Sequence, residues 1–271
     1  MAKSTTAGMV ESTAKCMAVP VIRTRDLTKS YGNKNAVFAL DLTVKKGEVF
    51  GFLGPNGAGK TTTLKMLVGL IRQTSGKIAV FGSPPTLEDA EFKRKIGYLP
   101  ETVQLYEKLS GREHLDFVAR LYQIPAKTRA ERIDDLVLMF ELDDCANRLI
   151  ETYSKGQKQK LALAQTLIHD PELLLLDEPT SGLDPKASRL IKEILLDLKK
   201  DGTTIFLSTH LLDIVENLCQ KVGVIYQGKL VACDDVKAFG KDSSALEERF
   251  IELTGGLNKE DIHKWRRRTR L

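Results

Sequence analysis

An α/β fold built on a mainly parallel sheet is predicted by three observations. First, "ELLLLD" (172–177), "TTIFLS" (203–208) and "VGVIY" (222–226) are near-continuous apolar runs, the pattern of strands buried on both faces of a parallel sheet. Second, the first two runs are separated by a helical pattern that opens at Pro185 and lines Leu190, Ile191, Ile194, Leu195 and Leu198 along one face. Third, "GEVFGFLG" (47–54) reads as a strand that leads through a glycine-rich turn into a helix, "KTTTLKMLVGLI" (60–71).

The remaining elements follow in chain order. "KIAVF" and "KIGYL" read as further short strands. Between residues 105 and 155 the strand patterns vanish. Ser110 to Glu113 forms a capping-box pattern that opens a helix with Leu115, Val118, Ala119 and Tyr122 inward. Thr128 to Glu131 repeats the pattern ahead of Ile133, Leu136 and Phe140. A helical insertion therefore interrupts the sheet domain. No internal repeat of 20 to 50 residues is present, and low complexity is confined to the two ends.

Composition narrows the class. The 271 residues carry 42% hydrophobic and 28% charged side chains, ordinary values for a chain that buries a full core. The net charge of +5 is matched by five cations near the C-terminus, Lys264, Arg266, Arg267, Arg268 and Arg270, so the basic character belongs to a tail. Beside Trp265, such a tail suits anionic head groups, a partner's acidic loop, or plain solvation. Cys16, Cys145, Cys219 and Cys233 are scattered without C-x-x-C spacing, which predicts neither zinc site nor disulfide framework and fits a reducing compartment. No apolar run approaches the ~18 residues of a membrane span, and residues 1–19 read as a flexible extension without a secretory apolar core.

Chemistry concentrates in short strings. "GPNGAGKT" fits G-x-x-x-x-G-K-[ST] at Gly54, Gly59, Lys60 and Thr61, between a predicted strand and a predicted helix. Glycines let backbone N–H groups turn inward around phosphate oxygens, Lys60 offers a mobile cation, and Thr61 offers a hydroxyl to Mg²⁺. "LLLLDEP" ends a buried strand in Asp177 and Glu178. In parallel sheets ligands bind beyond the carboxyl ends of strands, which puts both acids beside the phosphate loop. Asp177 suits a metal shell, and Glu178 suits the orientation or deprotonation of an attacking water. In "ETYSKGQKQK" (151–160), Ser154 and Gln157 form a capping box before Leu161, Ala164, Leu167 and Ile168. That stretch is either a well-made helix start or a bare positive helix end that faces a phosphate.

"GPNGAGKTT", "YSKGQ", "LLLLDEPTSGLDP" and "LSTH", in that order, resemble the ATP-binding subunit of ABC (ATP-binding cassette) transporters over about residues 20–228. The resemblance implies a P-loop NTPase core with a mainly parallel sheet, an N-terminal antiparallel β subdomain and an inserted α-helical subdomain at about 105–155. Residues 229–271 would then be a C-terminal extension with the basic tail. It also implies ATP and Mg²⁺ at a site made by Gly54, Pro55, Asn56, Gly57, Ala58, Gly59, Lys60, Thr61 and Thr62, with Tyr31 stacked on adenine. Thr61, Asp177 and Glu101 would ligate the metal, and Glu178, His210 and Lys60 would carry catalysis. Ser154, Gly156 and Gln157 match the signature segment that meets the γ-phosphate held by a second subunit, and Asp184 matches the D-loop aspartate at that dimer interface.

Three positions depart from the family pattern. Tyr153 stands where leucine is common, Lys155 where glycine is, and Glu101 where a glutamine usually touches metal and water; Gln104 lies three residues on. By resemblance the protein is an ATPase that pairs on ATP binding with a second nucleotide-binding subunit, expected to be another copy of itself, and docks on an integral membrane permease at the inner, cytoplasmic face of the cell membrane. The segments "LEERFIELTGG" (246–256) and "LYEKLSGREHLDFVARLY" are similar to the drug, sodium and polysaccharide exporter branch. The alternative is a soluble ABC ATPase that acts on ribosomes or DNA; a single cassette without sustained heptads speaks against it, and no nucleic-acid partner is expected.

Overall fold

The computed structural model describes residues 19–240 and 243–255. The N-terminal extension and the basic tail with Trp265, both singled out above, lie outside the described residues, apart from Val19 at the edge of the first. The chain runs β1 (Ile22–Tyr31), β2 (Lys34–Val44), β3 (Val49–Leu53), α1 (Lys60–Val68), β4 (Ser75–Val80), α2 (Ala90–Lys95), β5 (Ile96–Leu99), α3 (Gly111–Leu121), α4 (Ala126–Met139), a 3-10 turn (Ile150–Thr152) and α5 (Lys155–Leu167). It continues through β6 (Leu173–Asp177), α6 (Pro185–Lys200), β7 (Thr204–Thr209), α7 (Leu212–Leu218), β8 (Lys221–Tyr226), β9 (Lys229–Asp235), α8 (Val236–Phe239) and α9 (Ser243–Leu253).

Two sheets result. β2, β1 and β4 form an antiparallel sheet in that order, and the larger sheet runs β5-β6-β7-β3-β8-β9. Its first four pairings are parallel, while β9 returns antiparallel to β8, so the sheet continues past residue 228. Alternation along β6 divides the interior. Leu174 and Leu176 join the core under α5, α6, α7 and the inserted helices, and Leu173 and Leu175 join the core under α1 and the antiparallel sheet. All four are fully buried, at roughly 1.5–3 kcal/mol each, which is why the run carries no polar residue before Asp177.

Two local expectations are corrected. The helix expected over 60–71 stops at Val68, because Gly69 takes up φ 83° as its left-handed cap and returns its N–H to Met66. Thr128 and Glu131 do not cap a helix: α4 begins at Ala126 after Pro125, whose extended ψ of 145° sets the helix start, and Thr128 lies inside the first turns. The boxes at Ser110–Glu113 and Ser154–Gln157 form in full, each side chain bonding the other's backbone N–H.

Candidate active site

The loop after β3 is fixed from both sides. Gly54 donates to Thr209 O at the end of β7, Gly228 donates to Ala58 O, and a Cβ on Gly59 would fall 2.4 Å from Ala36 O. Gly59 caps α1 at φ 111° with no side chain, so the helix opens with bare N–H groups, the arrangement that attracts an anion.

Lys60 reaches back over this loop. Its Nζ donates to Gly54 O at 2.6 Å and lies 3.2 Å from Glu178 Oε1, with both side chains over nine-tenths buried. Glu178 in turn meets His210 Nδ1 at 3.0 Å. A lysine from the phosphate loop, a carboxylate from the end of β6 and an imidazole from the end of β7 thus form one continuous polar chain. Glu178 holds φ 50°, a left-handed conformation that costs a side-chain-bearing residue on the order of 1–3 kcal/mol and is concentrated at functional sites. Its N–H is tied to Ser208 O at 3.1 Å, which helps to hold it there.

Asp177 is fully buried beside it. Ser208 Oγ donates to Asp177 Oδ1, whereas Oδ2 has no hydrogen-bond partner among the described residues. An orphaned carboxylate oxygen is costly unless a cation or donor arrives. Ser208 escaped notice in the sequence although it lies in the same "LSTH" string as His210; its signal was its register opposite Asp177, which needs the strand order.

A cleft of about 910 Å³ opens over the loop, lined by Asn56, Gly57, Gly59, Lys60, Thr61 and Thr62 on one side, by Glu101 and Glu178 on another, and by Tyr31 at its mouth. Tyr31 is 54% exposed, and Lys29 Nζ lies over one face of its ring at 5.1 Å from the centroid. The start of β2 (Lys34 to Ala36) and Gln227–Gly228 complete the wall, contributions the sequence did not signal. Gln104 does not line the cleft.

Ser154, Gly156, Gln157 and Asp184 are held apart from it. They meet one another where the starts of α5 and α6 converge: a Cβ on Gly156 would lie 3.8 Å from Asp184 Oδ2, and one on Gly182 would lie 2.3 Å from Lys155 Nζ. Asp184 Oδ1 also accepts the N–H of Ala187 at 2.9 Å and so caps α6. Tyr153 is buried, with its hydroxyl donating to Cys145 O at 2.7 Å.

Residues 37–181 match the family model described as ABC transporter. The chain is 42% identical to the bacitracin transport ATP-binding protein of Bacillus licheniformis over 78% of its own length and 68% of that protein's. It is 44% identical to a fluoroquinolones export ATP-binding protein of Mycobacterium tuberculosis, over 79% and 70%. An uncharacterized ABC transporter ATP-binding protein of Nostoc is 45% identical, and there the match spans 78% of this chain but 65% of the relative. Among solved structures, an ATP-binding subunit of an ABC transporter superposes with TM-score 0.77 at 31% identity, over 86% of this chain and 99% of that one. A dimeric ATP-binding cassette in a post-hydrolysis state with ADP and Pi gives 0.73 at 26%, over 79% and 98%.

Proposed function

The chain belongs to the ABC transporter family, whose ATP-binding proteins it matches, and from that membership we propose that it hydrolyses ATP to drive export through a separate membrane-spanning permease. The observation that carries the reading is the polar chain Lys60–Glu178–His210, set beside the bare amides that open α1. Lys60 is the cation that exchanges Glu178 and loop carbonyls for phosphate oxygens, and Glu178 is then free to orient or deprotonate the attacking water while His210 holds its carboxylate. Tyr31 stacks on adenine at the mouth of the cleft. The export direction draws on the relatives named for bacitracin transport and fluoroquinolone export.

The donor set fits Mg²⁺. Thr61, Asp177 and Glu101 would hold it, with the free Oδ2 of Asp177 as the anchoring oxygen and Ser208 fixing the other. A metal held by these residues would supply positive charge against the nucleotide phosphates.

Catalysis needs a second subunit in this reading. Ser154, Gly156 and Gln157 sit away from their own chain's cleft, so the capped start of α5 serves a nucleotide held across a dimer, with Asp184 at the same seam. A dimeric relative supports the arrangement. The permease would dock on the inserted helices near Glu101, where Tyr106, 58% exposed, packs edge-on against Phe117 at 5.1 Å. Among the described residues no helix is long and apolar enough to cross a membrane, so the membrane path belongs to that partner. Tagging the protein at native level, solubilising membranes in mild detergent and identifying co-purifying proteins by mass spectrometry tests this: a multi-span partner is expected. Ribosomal or DNA-bound proteins without one would overturn the transporter role.

A further inference from the structure

The turn between β8 and β9 is only two residues long. Tyr226 and Lys229 pair across it, and Gln227 and Gly228 between them hold φ 48° and 80°. Two successive left-handed residues make the tight hairpin turn that suits the twist of paired strands, and glycine is the residue best fitted to its second position. This turn also joins two other parts of the molecule. Gly228 N–H donates to Ala58 O at 3.0 Å, and Gly228 O accepts the N–H of Phe38 at 2.7 Å. One residue thus bonds the phosphate loop through its nitrogen and β2 through its oxygen.

Those two partners belong to opposite halves of the cleft. Ala58 precedes Gly59, the cap from which α1 opens with bare N–H groups. The start of β2 places the other half: Lys34 pairs with Tyr31 and Asn35 with Ser30, and Ser30 Oγ donates to Asn35 Oδ1 at 2.7 Å. The halves meet at one oxygen. A Cβ on Gly228 would fall 3.0 Å from Ala36 O, and one on Gly59 would fall 2.4 Å from the same atom. A side chain at 228 therefore pushes β2 away from the loop, or turns the backbone out of its left-handed conformation and gives up both bonds. Resting on the reading of this cleft as an ATP site with Tyr31 stacked on adenine, we propose that Gly228 is a positioning residue that fixes the spacing between the adenine platform and the phosphate loop. A nucleotide spans both halves, so its two ends make their contacts together only while that spacing is held.

Gly228→Ala tests this, with Gly82→Ala as the control. Gly82 holds φ 81°, yet a Cβ there meets nothing within 4 Å, so its alanine carries the same backbone strain without touching β2. Binding of ADP and of inorganic pyrophosphate, each with Mg²⁺, is measured on the full chain by isothermal titration calorimetry, with a thermal melt alongside. Both alanine variants are expected to melt lower. In Gly228→Ala, ADP binding is expected to weaken about tenfold, the scale of one lost base–aromatic stack. Pyrophosphate needs the loop alone, which keeps Gly54 N–H on Thr209 O and its own turn from Ala58 N–H to Pro55 O. Its loss is expected to stay below about twofold, as for sites that share no partner. Gly82→Ala is expected to bind both as the wild type does. Gly228→Asn tolerates the left-handed region but still carries the Cβ, so it is expected to show the same split and serves if the alanine variant does not fold. Equal losses of ADP and pyrophosphate, no loss of either, or the same split in Gly82→Ala would overturn the role of Gly228 and leave the nucleotide site intact. A wild-type chain that binds pyrophosphate but gains nothing from the adenosine of ADP would overturn the stacking on Tyr31, and this role with it.

Discussion

The hydroxyl of Tyr153 lies 2.3 Å from the point where a Cβ on Gly111 would stand, so the tyrosine and the glycine are a matched pair. Gly111 opens α3, and its missing side chain makes room for a ring larger than the leucine common at this place in the family. Gly111→Ala is expected to lose about 1–3 kcal/mol through overpacking, less the roughly 1 kcal/mol that alanine gains in helix propensity. In a Tyr153→Leu background the same alanine is expected to be neutral or stabilising. Urea denaturation of the four chains measures the coupling, and equal costs in both backgrounds would break the pairing.

Glu178 bonds Lys60 on one side and His210 on the other. Glu178→Gln keeps the shape and an acceptor oxygen but removes the charge that polarises water. ATP binding is expected to persist, turnover to fall on the order of 10²–10³-fold or more, and an ATP-dependent dimer to accumulate. Steady-state hydrolysis and light scattering with and without ATP check this; turnover near wild type would take Glu178 out of the catalytic role.

What was legible in the sequence was what one strand or one loop decides by itself. Gly54 to Thr61, Asp177 and Glu178 are read from continuous strings because a phosphate loop and a strand end are local structures, and the Ser154–Gln157 box is readable for the same reason. Contacts set by strand order were not legible: the bond of Ser208 to Asp177, and the start of β2 in the cleft wall, depend on which strands lie adjacent. The Thr128–Glu131 pattern misled because Pro125 begins the helix earlier than a capping string alone suggests.

Two histidines give stability a pH dependence. Burial lowers the affinity of His114 and His169 for a proton; His114 is held by Gln165, and His169 contacts Ile96 O and stacks on Tyr122 at 3.9 Å. With the folded values below the ordinary 6.5 or so, the unfolded chain binds more protons, so stability rises with pH across this window. The contribution is complete above about pH 6.5 and is lost as pH falls through the depressed folded values. Glu113, held low by the Ser110 N–H, is lost only at lower pH, below the ordinary carboxylate range. Melting temperatures from pH 7.5 to 5.5 are expected to fall, and to fall less steeply in the His114→Gln, His169→Gln double variant. Parallel slopes would assign the dependence elsewhere.

Lys155 is placed against the helix it begins. The first turn of α5 has no acid, and a cation at a helix N-terminus is disfavoured by about 0.3–1 kcal/mol. Lys158 and Lys160 farther along pair with Glu107 and Glu141, whereas Lys155 has no carboxylate partner among the described residues and rests its ammonium over Gly182. A charge that is unfavourable in the single chain becomes favourable once a nucleotide anion is brought to the same helix end, so stability and assembly respond to it in opposite directions. Lys155→Gln is expected to stabilise the isolated chain by up to about 1 kcal/mol in denaturant titrations. In the Glu178→Gln background it is expected to raise the ATP concentration needed for dimerisation several-fold, with the gap narrowing as salt is added. A dimerisation midpoint unmoved by the substitution at low salt would confine Lys155 to the surface of its own chain.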